Sequence, residues 1–205
     1  KPVMRMAGAT MGIIGCGRIG SATALRAKAF KMDVLVYDPY LRPGTDKVLG
    51  VTQTDLQTLL RRSDVVSLHT PLTPETRGII GAASLAELKE SAFLINTARG
   101  EVVDTNALAD VLRENGIAGA AIDVLPNEPA SPAQKLVQLW QEESARPVNL
   151  IITPHTGQLT EESQAAINRM PYEEIVRVMQ GGWPRSIAFR NPEVQEKFAA
   201  RWRGA

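Results

Sequence analysis

The stretch from Thr10 to Asp38 constrains this chain more than any other. A short apolar run, Met11 to Ile14, leads into Gly15-Cys16-Gly17-Arg18-Ile19-Gly20, a G-x-G-x-x-G pattern. Ala22, Ala24, Leu25, Ala27 and Phe30 follow at helical spacing, and a second apolar run, Val34 to Tyr37, ends on Asp38. Strand, glycine turn, helix, strand and acid in that order are the parts of a dinucleotide-binding βαβ unit. Gly15 permits the tight turn, Gly17 lets backbone approach a pyrophosphate, and Gly20 lets helix and strand pack closely. The helix start offers free N–H groups and a positive dipole end to phosphates. Asp38, eighteen residues beyond Gly20, can accept hydrogen bonds from adenosine ribose hydroxyls and would repel a 2′-phosphate. That favours NAD over NADP, since Pro39 and Tyr40 follow Asp38 and the nearest arginine is Arg42.

The rest of the chain continues the same alternation. Val48 to Val51 is expected as a short strand, and Thr54 as the cap of a helix through Leu56, Leu59 and Leu60. Val65 to His69 reads as a buried strand, and Thr70 to Thr76, with two prolines, as a loop. A helix is expected over Ala82 to Leu88, a strand over Ala92 to Ile95, and a helix capped by Asp104. Ala118 to Ile122 and Asn149 to Thr153 are the last strands, with an amphipathic helix around Leu136 to Trp140 between them. Thr160 caps a long final helix, with Glu161 and Glu162 in its first turn and Pro171 expected to kink or restart it. Strands alternating with helices argue for an α/β fold with a doubly wound parallel sheet. The expected organisation is a crossover at 1–9, a nucleotide-binding domain at 10–180 and a C-terminal tail at 181–205.

Ligands of such sheets gather at the carboxyl ends of the strands. That rule brings Asp38, His69, Arg99, Asp123 and His155 to one edge. Hydride transfer to a carbonyl needs a proton donor, and histidine suits neutral pH. Only His69 and His155 are available. His155 is the stronger candidate, because Glu128 in the preceding strand-end loop could pair with it and fix its ring. His69 is better placed to line the adenine side. Arg99 offers a planar fork that matches a carboxylate, and Asp123 could accept a hydrogen bond from a nicotinamide carboxamide.

Bulk properties exclude other classes. The 205 residues carry 23 basic and 22 acidic side chains, a formal charge of +1, and no basic block that would mark a nucleic-acid or membrane surface. Cys16 is the one cysteine, so no internal disulfide is possible, and a reducing, cytoplasmic setting is expected. No run is long enough to span a membrane. The start at Lys1 looks like that of an excised chain. No P-loop, tyrosine-x-x-x-lysine or H-E-x-x-H pattern occurs, and no metal-ligand set is apparent.

Six motifs stand in order: GIIGCGRIG, YDP, LHTPLTPET, LINTARGEVVD, AAIDVLPNEP and ITPH. Together they resemble the nucleotide-binding portion of the D-isomer-specific 2-hydroxyacid dehydrogenase family. ALRAKAF and DVLVYDPYL most resemble the branch of the C-terminal-binding proteins, NAD(H)-dependent transcriptional corepressors. The resemblance implies a Rossmann-type NAD-binding domain and a set of roles. Arg99 would hold the substrate carboxylate and keto oxygen, His155 would carry the proton, and Glu128 would hydrogen-bond His155. Ile14, Gly15, Cys16, Gly17, Arg18, Ile19 and Gly20 would meet the pyrophosphate and Asp38 the ribose. Thr70, Pro71, Leu72 and Thr76 would border the adenosine. Thr97, Ala98 and Asp123 would meet the nicotinamide, with His155 and Gly157 beside it.

The family's N-terminal segment, which forms most of a substrate-side domain, is absent here, and the 181–205 tail would pack on that domain. The loop between Glu128 and His155 is longer than usual. Gln158 stands where the animal corepressors carry tryptophan, so their substrate preference does not carry over. The resemblance therefore leads to an NAD-dependent dehydrogenase of small 2-hydroxy or 2-keto acids, with a homodimer expected. Its rivals are an NAD(H)-gated adaptor, which would be nuclear, and an NAD-binding fragment without turnover.

Overall fold

The computed structural model describes residues 4–142 and 148–185. Residues 1–3 of the expected crossover and 186–205 of the expected tail lie outside the described residues. The chain forms two compact units, Lys1–Gly157 and Gln158–Ala205. The first unit thus closes at Gly157, whereas sequence alone carries the nucleotide-binding domain to residue 180.

The first unit is built on seven strands, β1 (Thr10–Ile14), β2 (Asp33–Tyr37), β3 (Thr52–Gln53), β4 (Val65–Leu68), β5 (Phe93–Asn96), β6 (Gly119–Ile122) and β7 (Leu150–Ile152). All pair in parallel, in the order β3-β2-β1-β4-β5-β6-β7. Chain direction across the sheet reverses between β1 and β4, the switch point at which such sheets open a crevice for a ligand. Register puts Ile14, Leu68, Asn96, Ile122 and Ile152 in line across one edge. The loops after them therefore emerge together.

Alternation along the strands sends side chains to two cores. Ile13, Val34 and Val36 pack with Ala24 and Ala27 of α1 (Arg18–Ala29) on one face. Gly20, Ala24 and Ala27 are the buried positions of that helix, so a small-residue stripe faces the sheet. Ile14, Leu35, Val66, Leu68, Leu94 and Ile122 fill the other face. Helices α3 (Leu56–Arg62), α4 (Ala82–Ala86), α5 (Thr105–Arg113) and α6 (Lys135–Gln141) supply Leu59, Leu85, Leu108 and Leu136 to that core. The expected doubly wound α/β architecture is present. On the α1 face, Met4, Met6, Met11, Val65, Phe93 and Ile95 line an apolar groove of about 740 Å³.

Two local expectations fail. Val48 to Val51 is not a strand: Thr45–Leu49 forms the single-turn helix α2, bracketed by Gly44 and Gly50, both at positive φ. The Gly50 N–H closes that turn on the Lys47 carbonyl at 3.1 Å, a left-handed glycine stop that overrides the strand preference of Val48 and Val51. The cap of α3 is Asp55 rather than Thr54, because the Asp55 carboxylate accepts the Thr58 N–H at 2.8 Å. Asp104 caps α5 as expected, accepting from Asn106 and Ala107.

The second unit begins with α7 (Glu161–Met179). Thr160 caps it, and a reciprocal bond with Ser163 completes a capping box. The helix passes Pro171 without restarting. An Arg169–Glu173 pair spans the proline and an Arg177–Glu174 pair follows it; the proline removes one backbone donor from a helix of nineteen residues. No described helix is long and apolar enough to cross a membrane.

Leu94 is fully buried in β5, between β4 and β6. Leu94→Ala is expected to lower stability by about 2–5 kcal/mol, while Val48→Ala, at an 87% exposed position, changes it by less than about 0.5 kcal/mol. Urea denaturation monitored by circular dichroism measures both.

Candidate active site

The glycine loop sits at the switch point. Gly15 has φ +89°, and a β-carbon there would lie 2.9 Å from the His69 carbonyl group and from Thr70 Cγ2. The loops after β1 and β4 therefore touch, and a side chain would force them apart. A β-carbon on Gly20 would fall 2.0 Å from the Gly15 carbonyl oxygen, so α1 can start here only with glycine. At Gly17 nothing lies within 4 Å of a β-carbon. Its open surface, at the N-terminus of α1, leaves room for a pyrophosphate to reach the backbone. Ile14 ends β1 fully buried, Cys16 is buried, and Arg18 and Ile19 are exposed on the first turn of α1. Burial, then the Asp38 charge, push the Cys16 thiol above its usual value, which makes it an inert packing group.

Asp38 is tied to this loop. Its Oδ2 accepts the Cys16 N–H at 2.8 Å and its Oδ1 accepts the Tyr40 N–H at 2.9 Å. The carboxylate thus stands beside the glycine turn. Beyond β4, Thr76 Oγ1 donates to the Pro71 carbonyl at 2.6 Å and accepts the Thr73 N–H at 2.8 Å. These bonds fix the Thr70–Thr76 loop, with Thr70 and Leu72 half-buried and Pro71 exposed. His69 bonds Ser67 Oγ through Nε2 at 2.9 Å, and burial lowers its imidazole pKa below the usual value.

At the other half of the edge, Glu128 Oε2 meets His155 Nδ1 at 2.6 Å. Glu128 Oε1 accepts the Leu125 N–H at 2.9 Å, which fixes the carboxylate. Burial opposes ionisation of Glu128, but His155 and the Leu125 N–H outweigh it and hold the carboxyl below its usual range. Asp123 is buried at the end of β6. Its carboxylate accepts the Thr153 hydroxyl at 2.5 Å and the N–H groups of Thr156 and Gly157 at 2.9 Å each. Burial again opposes its charge, and the Thr153, Gly157 and Thr156 donors, with His155 nearby, reverse the balance. Its carbonyl accepts the His155 N–H at 2.8 Å. Asp123 therefore shapes the turn that presents His155, whose φ of +54° is left-handed.

Arg99 reaches the same edge from β5. It is exposed, as is Thr97, while Ala98 is buried. Arg99 Nη1 donates to the Ala98 carbonyl at 2.6 Å. Two residues that shape this loop carry no recognisable signal in sequence. Asn96 is 1% exposed, donates to the Arg99 carbonyl at 2.9 Å and accepts the Ala98 N–H at 3.0 Å. Gly100 packs on the Leu125–Pro126 backbone, where a β-carbon would lie 2.1 Å from the Leu125 carbonyl carbon. The Arg99 loop thus leans on the segment that carries Glu128. Asn96 looks like the end of an apolar run, and only its burial shows that its amide is a clamp.

The glycine fingerprint, the bound Asp38 and the Glu128–His155 pair now stand on one edge of a parallel sheet with its switch at β1 and β4. Residues 1–157 match the NAD binding domain of the D-isomer specific 2-hydroxyacid dehydrogenases. The chain belongs to that family. A glyoxylate reductase from Korarchaeum cryptofilum is 41% identical over 187 residues, 91% of this chain and 53% of that protein. A second, from Thermococcus litoralis, is 39% identical over 180 residues, covering 88% and 52%. A solved structure of D-lactate dehydrogenase with NAD+ from Lactobacillus jensenii matches with a TM-score of 0.80 and 34% identity over 91% of this chain and 57% of that one. The NAD-complexed D-isomer specific 2-hydroxyacid dehydrogenase of Lactobacillus delbrueckii ssp. bulgaricus matches with a TM-score of 0.77 and 38% identity, covering 88% and 56%. The chain spans about half the length of the relatives it matches. These relatives are reductases and dehydrogenases, and none of them shows the corepressor branch suggested by residues 24–41.

The lowered Asp123 carboxyl has a consequence for stability. A carboxyl whose folded pKa lies below its unfolded value stabilises fully above the ordinary range, and the contribution disappears as pH falls through the folded value. Melting temperature should therefore drop on acidification below about pH 4, and Asp123→Asn should flatten that drop while lowering the melting temperature at pH 7. Thermal melts of both proteins across that range measure the difference, and parallel curves would contradict the assignment.

Proposed function

We propose that this NAD-binding domain serves a dehydrogenase that interconverts a small 2-keto acid and its 2-hydroxy acid. The Glu128–His155 pair at 2.6 Å, on the same sheet edge as the glycine loop, is the observation that carries it. When bound, NADH supplies the hydride for the carbonyl carbon. His155 supplies the proton to the carbonyl oxygen in reduction and takes it back in oxidation. Glu128 holds Nδ1, so Nε2 is the nitrogen turned to substrate. Arg99 grips the substrate carboxylate with its guanidinium fork and fixes the keto group for attack. Asp123 positions the His155 turn, and Asp38 receives the adenosine ribose.

Glyoxylate and lactate chemistry in the relatives supports a short 2-hydroxy or 2-keto acid as the substrate. We further propose a homodimer. A buried free thiol as the one cysteine fits a reducing, cytoplasmic setting.

Two measurements test this. Gly17→Ala has space in the fold, so it should leave the melting temperature unchanged while weakening NADH binding at least about tenfold, read by calorimetry. Unchanged binding would remove the glycine loop from the site. In the full-length enzyme, His155→Ala should lower kcat for keto-acid reduction by about 10²–10⁴-fold with NADH affinity retained. Wild-type turnover in that variant would refute the mechanism.

A further inference from the structure

One cross-link on the cofactor edge has no role in hydride or proton transfer. Tyr40, two residues past Asp38, donates its phenolic O–H to Glu75 Oε2 at 2.7 Å. Glu75 lies inside the Thr73–Thr76 turn, thirty-five residues further on. The two residues belong to different walls. One wall follows β2 and holds Asp38. The other follows β4 and is the loop from Thr70 to Thr76.

Both walls also meet the glycine loop at their bases. Gly15 touches His69 and Thr70, and Asp38 holds the Cys16 N–H. The Tyr40 N–H anchors to Asp38 Oδ1. Following the contacts gives a closed circuit: glycine loop, Asp38, Tyr40, Glu75, the threonine-braced turn, Pro71, Thr70 and back to Gly15. A tyrosine that is 72% exposed would ordinarily sample several rotamers. Here it is pinned at backbone and ring ends, across the outer opening of that circuit.

We propose that Tyr40 and Glu75 are positioning residues for the adenosine half of the cofactor. Their hydrogen bond joins the two walls and holds the pocket at its working width before the nucleotide arrives. Neither residue needs to touch the nicotinamide or the substrate. Preorganisation of this kind raises affinity by removing the ordering cost from binding. The inference rests on the nucleotide site described above.

The test is a double-mutant cycle on the chain itself, with NADH and reduced nicotinamide mononucleotide as probes, followed by their fluorescence. Tyr40→Phe and Glu75→Ala should each weaken NADH binding roughly three- to tenfold, the size expected for loss of one hydrogen bond to a charged group near solvent. The double variant should lose no more than either single one. Reduced nicotinamide mononucleotide, which lacks the adenosine, should bind all four proteins equally. Tyr40→Phe keeps the ring, so a matching melting temperature confirms an intact fold. Unchanged NADH affinity, fully additive losses, or equal weakening of the mononucleotide would each overturn the bridge while leaving the nucleotide site standing. Failure of the wild-type chain to bind NADH would overturn both.

Discussion

A parallel sheet must finish all its strands at the same edge, and here seven strands obey that constraint. Backbone groups past the last ladder bond lose their strand partners there, so each loop must find hydrogen bonds of its own or offer them to a ligand. The reversal between β1 and β4 then separates two loops that would otherwise follow the same helix direction. Gly15 lets them approach again at their base. A crevice with donors at its floor results from topology before any special side chain is considered.

Side chains then divide that edge between two tasks. On the β1–β2 side, Asp38 satisfies the Cys16 and Tyr40 N–H groups and sets a negative charge beside the helix start. On the β5–β7 side, three polar groups act as braces, Asn96 and Asp123 buried and Glu128 exposed. Asn96 ties down the Ala98–Arg99 backbone, Asp123 gathers Thr153, Thr156 and Gly157, and Glu128 fixes itself on Leu125 while holding His155. Gly100 couples the first brace to the last by letting the Arg99 loop rest against Leu125 and Pro126. A proton carrier and an anion grip are useful only when their distance is fixed to a fraction of an ångström. In the proposed function these braces would supply that rigidity to His155 and Arg99 without contacting the substrate.

Much of this was legible in sequence, for definable reasons. The glycine spacing, the acid after β2 and the polar groups at strand ends follow from local chemistry plus one rule about parallel sheets. Asp104 and Thr160 announce their helices because a cap is a local interaction. The strand expected at Val48 failed because two left-handed glycines decided the backbone over a weak β preference. Asn96 and Gly100 were silent for a different reason. Their roles depend on contacts between segments distant in the chain, and an asparagine or a glycine at a strand end looks the same whether it braces a loop or faces water.

The nucleotide is the common term in every part of this account, so its position is the most direct test. A crystal structure of the chain with NADH should place the pyrophosphate on the N–H groups that follow Gly17, the adenosine ribose on Asp38 and the nicotinamide between Asp123 and His155. Density for the nucleotide elsewhere, for example in the methionine-lined groove beside Phe93 and Ile95, would contradict it.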